Sequence, residues 1–165
     1  MWSSCIKCTV MRLGDRELDL SQPQVMAIIN VTDDSFFEGS RTVDEQSIAS
    51  RVREAIASGA TILDVGGYSS RPGAKELSVD EEWERVRKGL RGIKDVAADA
   101  FVSVDTFRSE VVRRAVEEFG DVIVNDISAG ELDEEMIDVV AKYNLPYIAM
   151  HMRGTPQTMQ SLTEY

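Results

Sequence analysis

Five short apolar runs in the sequence end on a polar residue that could bind a ligand. The five strand ends carry Asn30, Asp64, Asp105, Asn125 with Asp126, and His151, and residues that favour β-strands precede each of them. Amides and carboxylates form hydrogen bonds, and their oxygens also bind hard cations. Because a buried polar group is costly unless it is paired, five such positions in succession favour a shared ligand site over five separate helix caps.

The second of these positions opens a glycine-rich loop. After Asp64 the sequence continues as VGGYSSRPGA, with two glycines that allow backbone conformations closed to other residues. Ser70 then supplies a hydroxyl, and Arg71 supplies a planar guanidinium next to Pro72. These groups suit phosphate oxygens or a carboxylate, although a glycine turn with a solvated arginine remains an alternative for this stretch alone.

The segments between the polar residues predict the elements that position them. Short apolar runs alternate with amphipathic helices, a pattern typical of βα units around a parallel sheet. In such sheets the carboxyl ends of the strands lie together, and ligands bind there. We predict strands over residues 25–30, 62–65, 101–104, 122–124 and 147–150.

Two details of the predicted helices follow from local patterns. Ser78 and Glu81 have the spacing of a capping box at the start of the second helix.

The fourth helix is predicted over residues 133–143. Its inward-facing residues should be Met136, Ile137 and Val140.

The N-terminal residues predict a β-hairpin that covers one end of the core. Residues 5–11 and 17–20 form its strands, around a turn at Gly14 and Asp15. Cys5 and Cys8 lie three residues apart on the first strand, so they point to opposite faces, about 10 Å apart along the chain. We expect reduced thiols rather than a disulfide or a zinc site.

The composition bounds the class of protein. With 165 residues, 43% of them hydrophobic, the chain is expected to form one domain over residues 1–165, of which residues 1–22 form the hairpin. A formal net charge of −11 argues against a nucleic acid partner or an anionic membrane surface. Because the chain is acidic overall, an anionic ligand would need positive charge close to it, from Arg71, helix N-termini or a divalent cation. The N-terminus lacks signal-peptide features and no run of about 18 apolar residues occurs, so we expect a soluble, cytoplasmic protein.

Periodicity leaves the architecture open between two α/β folds. Five strands in 165 residues fit a flavodoxin-like doubly wound sheet. An eight-stranded (β/α)8 barrel needs about 250 residues and would be incomplete in this chain.

The residues around the five polar positions resemble the motifs of dihydropteroate synthase. The matching strings, in chain order, are NVTDDSF, DVGGYSSRPGA, SVDTF, VNDIS and MHMRGTPQ. Other pterin-binding barrels, including methyltetrahydrofolate methyltransferases, share the pattern of strand ends, but the first two strings favour the synthase. The resemblance implies an α/β fold, in which about five βα strands over residues 23–165 form the N-terminal part of a TIM (β/α)8 barrel behind a short β-hairpin.

The family joins 6-hydroxymethyl-7,8-dihydropterin diphosphate to p-aminobenzoate and releases diphosphate, a step of folate biosynthesis that sulfonamides inhibit. The resemblance therefore implies a transferase that uses Mg²⁺, acts on these two small molecules and forms a homodimer at full length. The alternatives are a non-catalytic pterin-binding or assembly module and a pterin-binding barrel like the methyltetrahydrofolate methyltransferases. Strands of the family that carry further pterin and diphosphate contacts are not in this sequence, so we expect the chain alone to be inactive or nearly so.

The resemblance also implies roles for individual residues. The pterin pocket comprises Asp105, Asn125, Ile127 and Met150; the diphosphate contacts are Ser70 and Arg71; the p-aminobenzoate pocket includes Phe36 and Pro72; and Asn30 binds Mg²⁺. Asn30, Arg71 and Asp105 are the residues expected to act in catalysis. Asp64 and His151 are expected to be structural, Asp64 by accepting hydrogen bonds from backbone N–H groups of its loop.

Overall fold

The computed structural model describes residues 9–31, 41–68, 76–155, 158, 159 and 162, with residues 41–45 as backbone alone. The strands are β1 (Val10–Leu13), β2 (Arg16–Asp19), β3 (Met26–Asn30), β4 (Ile62–Gly66), β5 (Phe101–Asp105), β6 (Ile123–Asp126) and β7 (Tyr147–Ala149). The helices are α1 (Arg41–Ala57), α2 (Val79–Val96), α3 (Ser109–Phe119) and α4 (Met136–Tyr143). Each of the five strands predicted from apolar runs is present to within about two residues. None of the described helices combines the length and apolar composition of a membrane span.

Strands β3 to β7 form one parallel sheet in which spatial order follows chain order. Each helix contacts the next one along the chain, so α1 to α4 cover the same face of the sheet. A flavodoxin-like sheet would instead place its first strand between the second and the third and carry helices on both faces. The flavodoxin-like alternative is therefore wrong, and the predicted N-terminal part of a (β/α)8 barrel is confirmed.

Alternate residues of each strand face either the helix layer or the opposite, concave face of the sheet. On the helix side, Leu63, Val65 and Val104 are buried and pack with apolar residues of α1 and α2 in one core cluster. The other alternation places Asp64 of β4 and Asp105 of β5 on the concave face. The apolar core therefore lies between sheet and helices, and polar residues line the concave side.

Strands β1 and β2 form the predicted hairpin, with its turn at Gly14 and Asp15. The buried Leu13 and Leu18 pack against Ile62, the first residue of β4. The first strand continues to Leu13, beyond its predicted end, and the two cysteines lie outside the described residues. The hairpin therefore covers the amino-terminal end of the sheet, opposite to the polar strand ends.

The predicted capping box begins α2. The Ser78 hydroxyl accepts a hydrogen bond from the Glu81 backbone N–H at 3.2 Å, and the Glu81 carboxylate accepts one from the Ser78 backbone N–H at 2.8 Å. Each side chain thereby satisfies a backbone N–H group that the helix itself leaves without a partner.

We expect Ser78→Ala to lower the free energy of unfolding by about 1 kcal/mol, because it removes the side-chain acceptor of this cap. Urea unfolding measures the loss. Ser58→Ala is the matched control, since Ser58 is exposed just after the end of α1, and it should change stability by less than about 0.5 kcal/mol. Equal effects of the two substitutions would show that the capping box does not stabilise α2.

Helix α4 is shorter than predicted, and Ile137 faces solvent instead of the core. The helix begins at Met136, and before it Asp133 accepts a hydrogen bond from the Ser109 backbone N–H at 2.7 Å. Met136 and Val139 are buried, whereas Ile137, predicted to face inward, is 50% exposed. Residues three apart share a face of a helix, so burial of the first pair turns Ile137 toward solvent.

Candidate active site at the carboxyl ends of the strands

The carboxyl ends of β3 to β6 align two rows of residues on the concave face. Neighbours in a row are register partners on adjacent strands, which lie about 4.8 Å apart. The upper row, nearest the strand ends, contains Asn30, Gly66, Asp105 and Asn125, and the lower row contains Ile28, Asp64, Ser103 and Ile123. Four of the five polar residues predicted from the sequence therefore lie in one small area of the structure.

Asp105 is a half-buried carboxyl group that leans over Gly66. A Cβ atom built on Gly66 would lie 3.2 Å from Asp105 Oδ2, so the glycine keeps this side of the carboxyl free of a side chain. Burial raises the pKa of Asp105 to about 7, and the negative charges of Asp64, Glu82 and Asp126 add to the effect. A ligand that donates hydrogen bonds could therefore shift this carboxyl to its ionised form near neutral pH.

Asp64 lies one row below, in the middle of β4 rather than at the predicted strand end, and it holds the amide of Asn125. The Nδ2 atom of Asn125 is 3.4 and 3.3 Å from the two carboxylate oxygens of Asp64, which is 3% exposed. Burial raises the pKa of Asp64, while the nearby Ser103 hydroxyl and the Asn125 amide lower it. The buried Ser103 hydroxyl lies near this carboxylate, but its geometry does not make a hydrogen bond with any described residue. Among the described residues, Asp64 thus pairs with a side-chain amide rather than with the backbone N–H groups expected from the sequence.

Glu82 of α2 forms a buried network with the residues that follow Asp105. Its carboxylate accepts hydrogen bonds from Thr106 Oγ1 at 2.5 Å and from Arg108 Nη1 at 2.8 Å. Arg108 Nη2 also donates to the Leu77 carbonyl at 2.7 Å. Burial raises the pKa of Glu82, and the contacts with Thr106 and Arg108 oppose this shift. The network ties α2 to the segment between β5 and α3.

Arg108 also packs at the start of the glycine-rich loop. Its guanidinium carbon lies 5.6 Å from the centre of the Tyr68 ring and 5.3 Å from that of the Phe107 ring, and the two rings meet edge to face at 5.1 Å. Tyr68 is the last described residue before Ser70 and Arg71. The loop that carries the predicted diphosphate contacts therefore starts from a packed side chain. None of these network residues was identified from the sequence.

Asp126 follows Asn125 but faces the helix side and holds a turn. Its buried carboxylate accepts hydrogen bonds from the backbone N–H groups of Ser128 and Gly130 and from the Tyr147 hydroxyl at 2.7 Å. Burial raises the pKa of Tyr147, and the hydrogen bond to Asp126 adds to the shift. Asp126 therefore fixes the turn after β6 and does not line the concave face.

The structure places only part of the other predicted site. Ile127 is half-buried in the loop after β6, Met150 is 39% exposed directly after β7, and His151 is exposed. The predicted residues outside the described part of the chain are Phe36, Ser70, Arg71 and Pro72. The structure thus brings Asp105 and Asn125 together, and the roles assigned to the loop residues stay predictions.

Asn30 is the candidate magnesium ligand at the end of β3. It is exposed in the upper row, next to Gly66, and offers one amide oxygen. Within the described ranges, no three His, Cys, Asp or Glu side chains come together as a metal site. A single oxygen ligand fits Mg²⁺ that arrives with a phosphate substrate, because this ion keeps several waters and takes one or two protein ligands.

Comparison with known proteins decides which family of barrels this sheet represents. The model of the family described as pterin binding enzyme matches residues 26–165. The chain belongs to the pterin binding enzymes. It is 44% identical over 156 residues to the mitochondrial folate synthesis bifunctional protein of Arabidopsis thaliana, a match that covers 92% of the chain and 28% of that protein. It is 43% identical over 152 residues to the dihydropteroate synthase of Escherichia coli K12, over 90% of the chain and 51% of that enzyme.

A solved structure of the family shows the same fold. The dihydropteroate synthase of Xanthomonas albilineans, solved with 4-aminobenzoic acid, superposes with a TM-score of 0.77 at 37% identity, over 88% of the chain and 52% of that protein. The resemblance to the N-terminal portion of dihydropteroate synthase is thereby confirmed. The chain spans about half the length of these two synthases.

Proposed function

We propose that the chain is part of a dihydropteroate synthase, which condenses 6-hydroxymethyl-7,8-dihydropterin diphosphate with p-aminobenzoate. The observation that carries this proposal is the pairing of Asp105 with Asn125 in the upper row of the concave face. The 43% identity to the Escherichia coli synthase supports it. The net charge of −11 suits small-molecule substrates better than nucleic acid or a membrane surface. We place the enzyme in the cytoplasm, as a homodimer at full length.

The pterin ring would bind against the upper row. A pterin offers amine and amide N–H donors along a flat edge, and the ionised carboxyl of Asp105 accepts hydrogen bonds from such donors. Asn125 would accept a further hydrogen bond through Oδ1, since its Nδ2 is directed at Asp64. Ile127 and Met150 would contact the faces of the ring.

The reaction replaces one bond to the exocyclic carbon of the pterin with another. The C–O bond to diphosphate breaks, the arylamine nitrogen forms a C–N bond to the same carbon, and the amine loses one proton. Negative charge grows on the departing diphosphate, so groups that stabilise this charge accelerate the step. We assign that role to Ser70 and Arg71, with Asn30 as the protein ligand of Mg²⁺. When bound, Mg²⁺ supplies positive charge next to the diphosphate.

The second substrate would bind between the loops that follow β3 and β4. Phe36 and Pro72 are the residues assigned to this pocket. The Xanthomonas albilineans synthase, solved with 4-aminobenzoic acid, supports an arylamine as the substrate class. Water must be kept from the reacting carbon in this step, because it would otherwise compete with the arylamine.

Formation of 7,8-dihydropteroate tests the proposal. The chain is extended to the full length of the synthases that it matches, which gives the extended protein, and both substrates are supplied with Mg²⁺. We expect the product to form only when both substrates are present. A folded extended protein that binds no pterin and forms no product would contradict the proposal. Pterin binding without turnover would instead indicate a non-catalytic binding module.

Pterin affinity should depend on pH through Asp105. Burial and the neighbouring carboxylates raise its pKa to about 7, and the ionised form is the one that accepts the pterin N–H donors. Lowering the pH therefore protonates the acceptor. We expect the Kd for a pterin to be constant above about pH 7 and to rise about tenfold for each pH unit below it. Titration calorimetry measures this, and a Kd that does not vary between about pH 5.5 and 8.5 would show that Asp105 does not titrate on binding.

A further inference from the structure

We propose that Asp64 is a positioning residue that sets which end of the Asn125 amide faces the bound pterin. By holding Nδ2 of Asn125, Asp64 leaves Oδ1 as the group offered to the ligand. The site then selects a ring that donates a hydrogen bond at this point and rejects one that presents an acceptor. The inference rests on the proposed function, since it concerns the same pterin site.

The chemistry of the two side chains favours one orientation of the amide. An ionised carboxylate only accepts hydrogen bonds, whereas an amide donates through Nδ2 and accepts through Oδ1. Asn125 Nδ2 faces both carboxylate oxygens of Asp64, at 3.4 and 3.3 Å, so turning the amide over would bring Oδ1 against a negative charge. Because Asp64 is 3% exposed, little water is available to screen that repulsion.

The lower row combines aliphatic and polar residues, so Asp64 is not part of a uniformly polar row. The two ends of this row are Ile28 on β3 and Ile123 on β6, both aliphatic. Burial raises the pKa of Asp64, which means that its charged form is disfavoured by its surroundings. A buried carboxylate whose charged form is disfavoured is typical of a position kept for function.

Asp64 acts through Asn125 rather than on the ligand. Asn125 lies in the upper row at the end of β6 and is half-buried, whereas Asp64 lies one row deeper and is buried. A ring that binds at the strand ends therefore meets the amide first. The Asp64 carboxylate therefore determines which atom of the Asn125 amide, Oδ1 or Nδ2, faces the ligand.

Selectivity between two pteridines tests the inference. The probes are pterin, whose 2-amino group is the donor that we assign to Asn125 Oδ1, and pteridine-2,4-dione, in which a carbonyl acceptor replaces this group and N1 carries a hydrogen. In the extended protein, Asp64→Asn keeps the size of the side chain but can pair with either orientation of the Asn125 amide. We expect the ratio of the two Kd values to fall by about tenfold or more, chiefly through tighter binding of the dione, while pterin affinity changes by about twofold.

The Asn125→Ala background separates positioning from a structural role. If Asp64 acts through the Asn125 amide, Asp64→Asn should leave the Kd ratio unchanged when that amide is absent. Thermal unfolding of Asp64→Asn should show an unchanged or higher Tm, because a buried charge is removed. An unchanged Kd ratio in the single variant, or the same change in both backgrounds, would overturn the inference.

Failure of this inference can be distinguished from failure of the proposed function. If the unmodified extended protein binds neither pteridine, the proposed function fails and the inference fails with it. If the unmodified protein prefers pterin and Asp64→Asn keeps that preference in full, only the role of Asp64 is overturned.

Discussion

Asp105→Asn is expected to lower the pterin affinity and the turnover of the extended protein by at least about a hundredfold. The ionised carboxyl accepts pterin N–H donors at both oxygens, whereas asparagine carries no charge and turns one of these positions into a donor. Hydrogen bonds to a charged group contribute about 1.5–3 kcal/mol each, so the loss of two accounts for an effect of this size. Calorimetry with a pterin measures the affinity, and dihydropteroate formation measures the turnover.

The same substitution should make the protein more stable at neutral and alkaline pH. Burial raises the pKa of Asp105 from its ordinary 3.8 to about 7, so the folded protein holds a proton that the unfolded chain loses at lower pH. Stability present below about pH 4 is therefore lost as the pH rises to about 7, by on the order of 2–4 kcal/mol. Urea unfolding should show a gain for Asp105→Asn at about pH 8 and almost none at about pH 4.

Asp138→Asn is the matched control for Asp105, because Asp138 is exposed on α4. It should leave pterin affinity unchanged and alter stability by less than about 0.5 kcal/mol. An Asp105→Asn variant that binds pterin as well as the unmodified protein, or that loses stability at about pH 8, would contradict the assignment of Asp105 as a half-buried, ligand-binding carboxyl.

Arg108→Met is expected to lower the free energy of unfolding by about 3 kcal/mol. The substitution leaves the fully buried carboxylate of Glu82 without its ion-pair partner, and breaking such a pair costs about 3–5 kcal/mol. Methionine keeps the apolar stem of the side chain, so the loss reports mainly on the charge. The loss should shrink at low pH, because burial already raises the pKa of Glu82 and its protonated form needs no cation.

Arg87→Met is the matched control for Arg108→Met, because it also removes an arginine that pairs with a glutamate, but at a partly exposed position between α2 and α3. The Arg87–Glu118 pair has an N–O distance of 2.7 Å, but both side chains are 32% exposed. We expect urea unfolding to show a loss of up to about 1 kcal/mol for this variant. Similar losses for Arg87→Met and Arg108→Met would contradict the claim that the burial of Glu82 makes its ion pair important.

Local patterns were sufficient to predict the strands and their polar ends. Each strand is a short apolar run, and Asn30, Asp105 and Asn125 stand where these runs stop. The strand order could not be derived from periodicity, because flavodoxin-like sheets and barrels are built from the same βα units. The sequence motifs favoured the barrel, and the spatial order of the strands confirms it.

Contacts between distant residues could not be predicted in this way. Asp64 and Asn125 are 61 positions apart, so nothing local to either residue indicates that one holds the other. Glu82 belongs to an acidic run at the start of α2, and its burial depends on Thr106 and Arg108, which lie 24 and 26 positions further along. Such pairs exist only once the parallel sheet has placed its strand ends together.

The remaining differences between prediction and structure concern the direction in which individual side chains face. Asp126 shares a strand end with Asn125, but alternate residues of a strand face opposite sides, so only Asn125 lines the concave face. Ile137 is apolar, yet the pair Met136 and Val139 takes the buried face of α4. In both places a shift of one residue reverses the environment, and a pattern located only to within one or two residues cannot resolve it.

The most direct test of the central claim is a crystal structure of the extended protein with a bound pterin. We expect N–H donors of the pterin within about 3.2 Å of the Asp105 carboxylate and of Asn125 Oδ1, at the carboxyl ends of β5 and β6. A pterin bound elsewhere, with both side chains free of ligand, would contradict the assignment of this site.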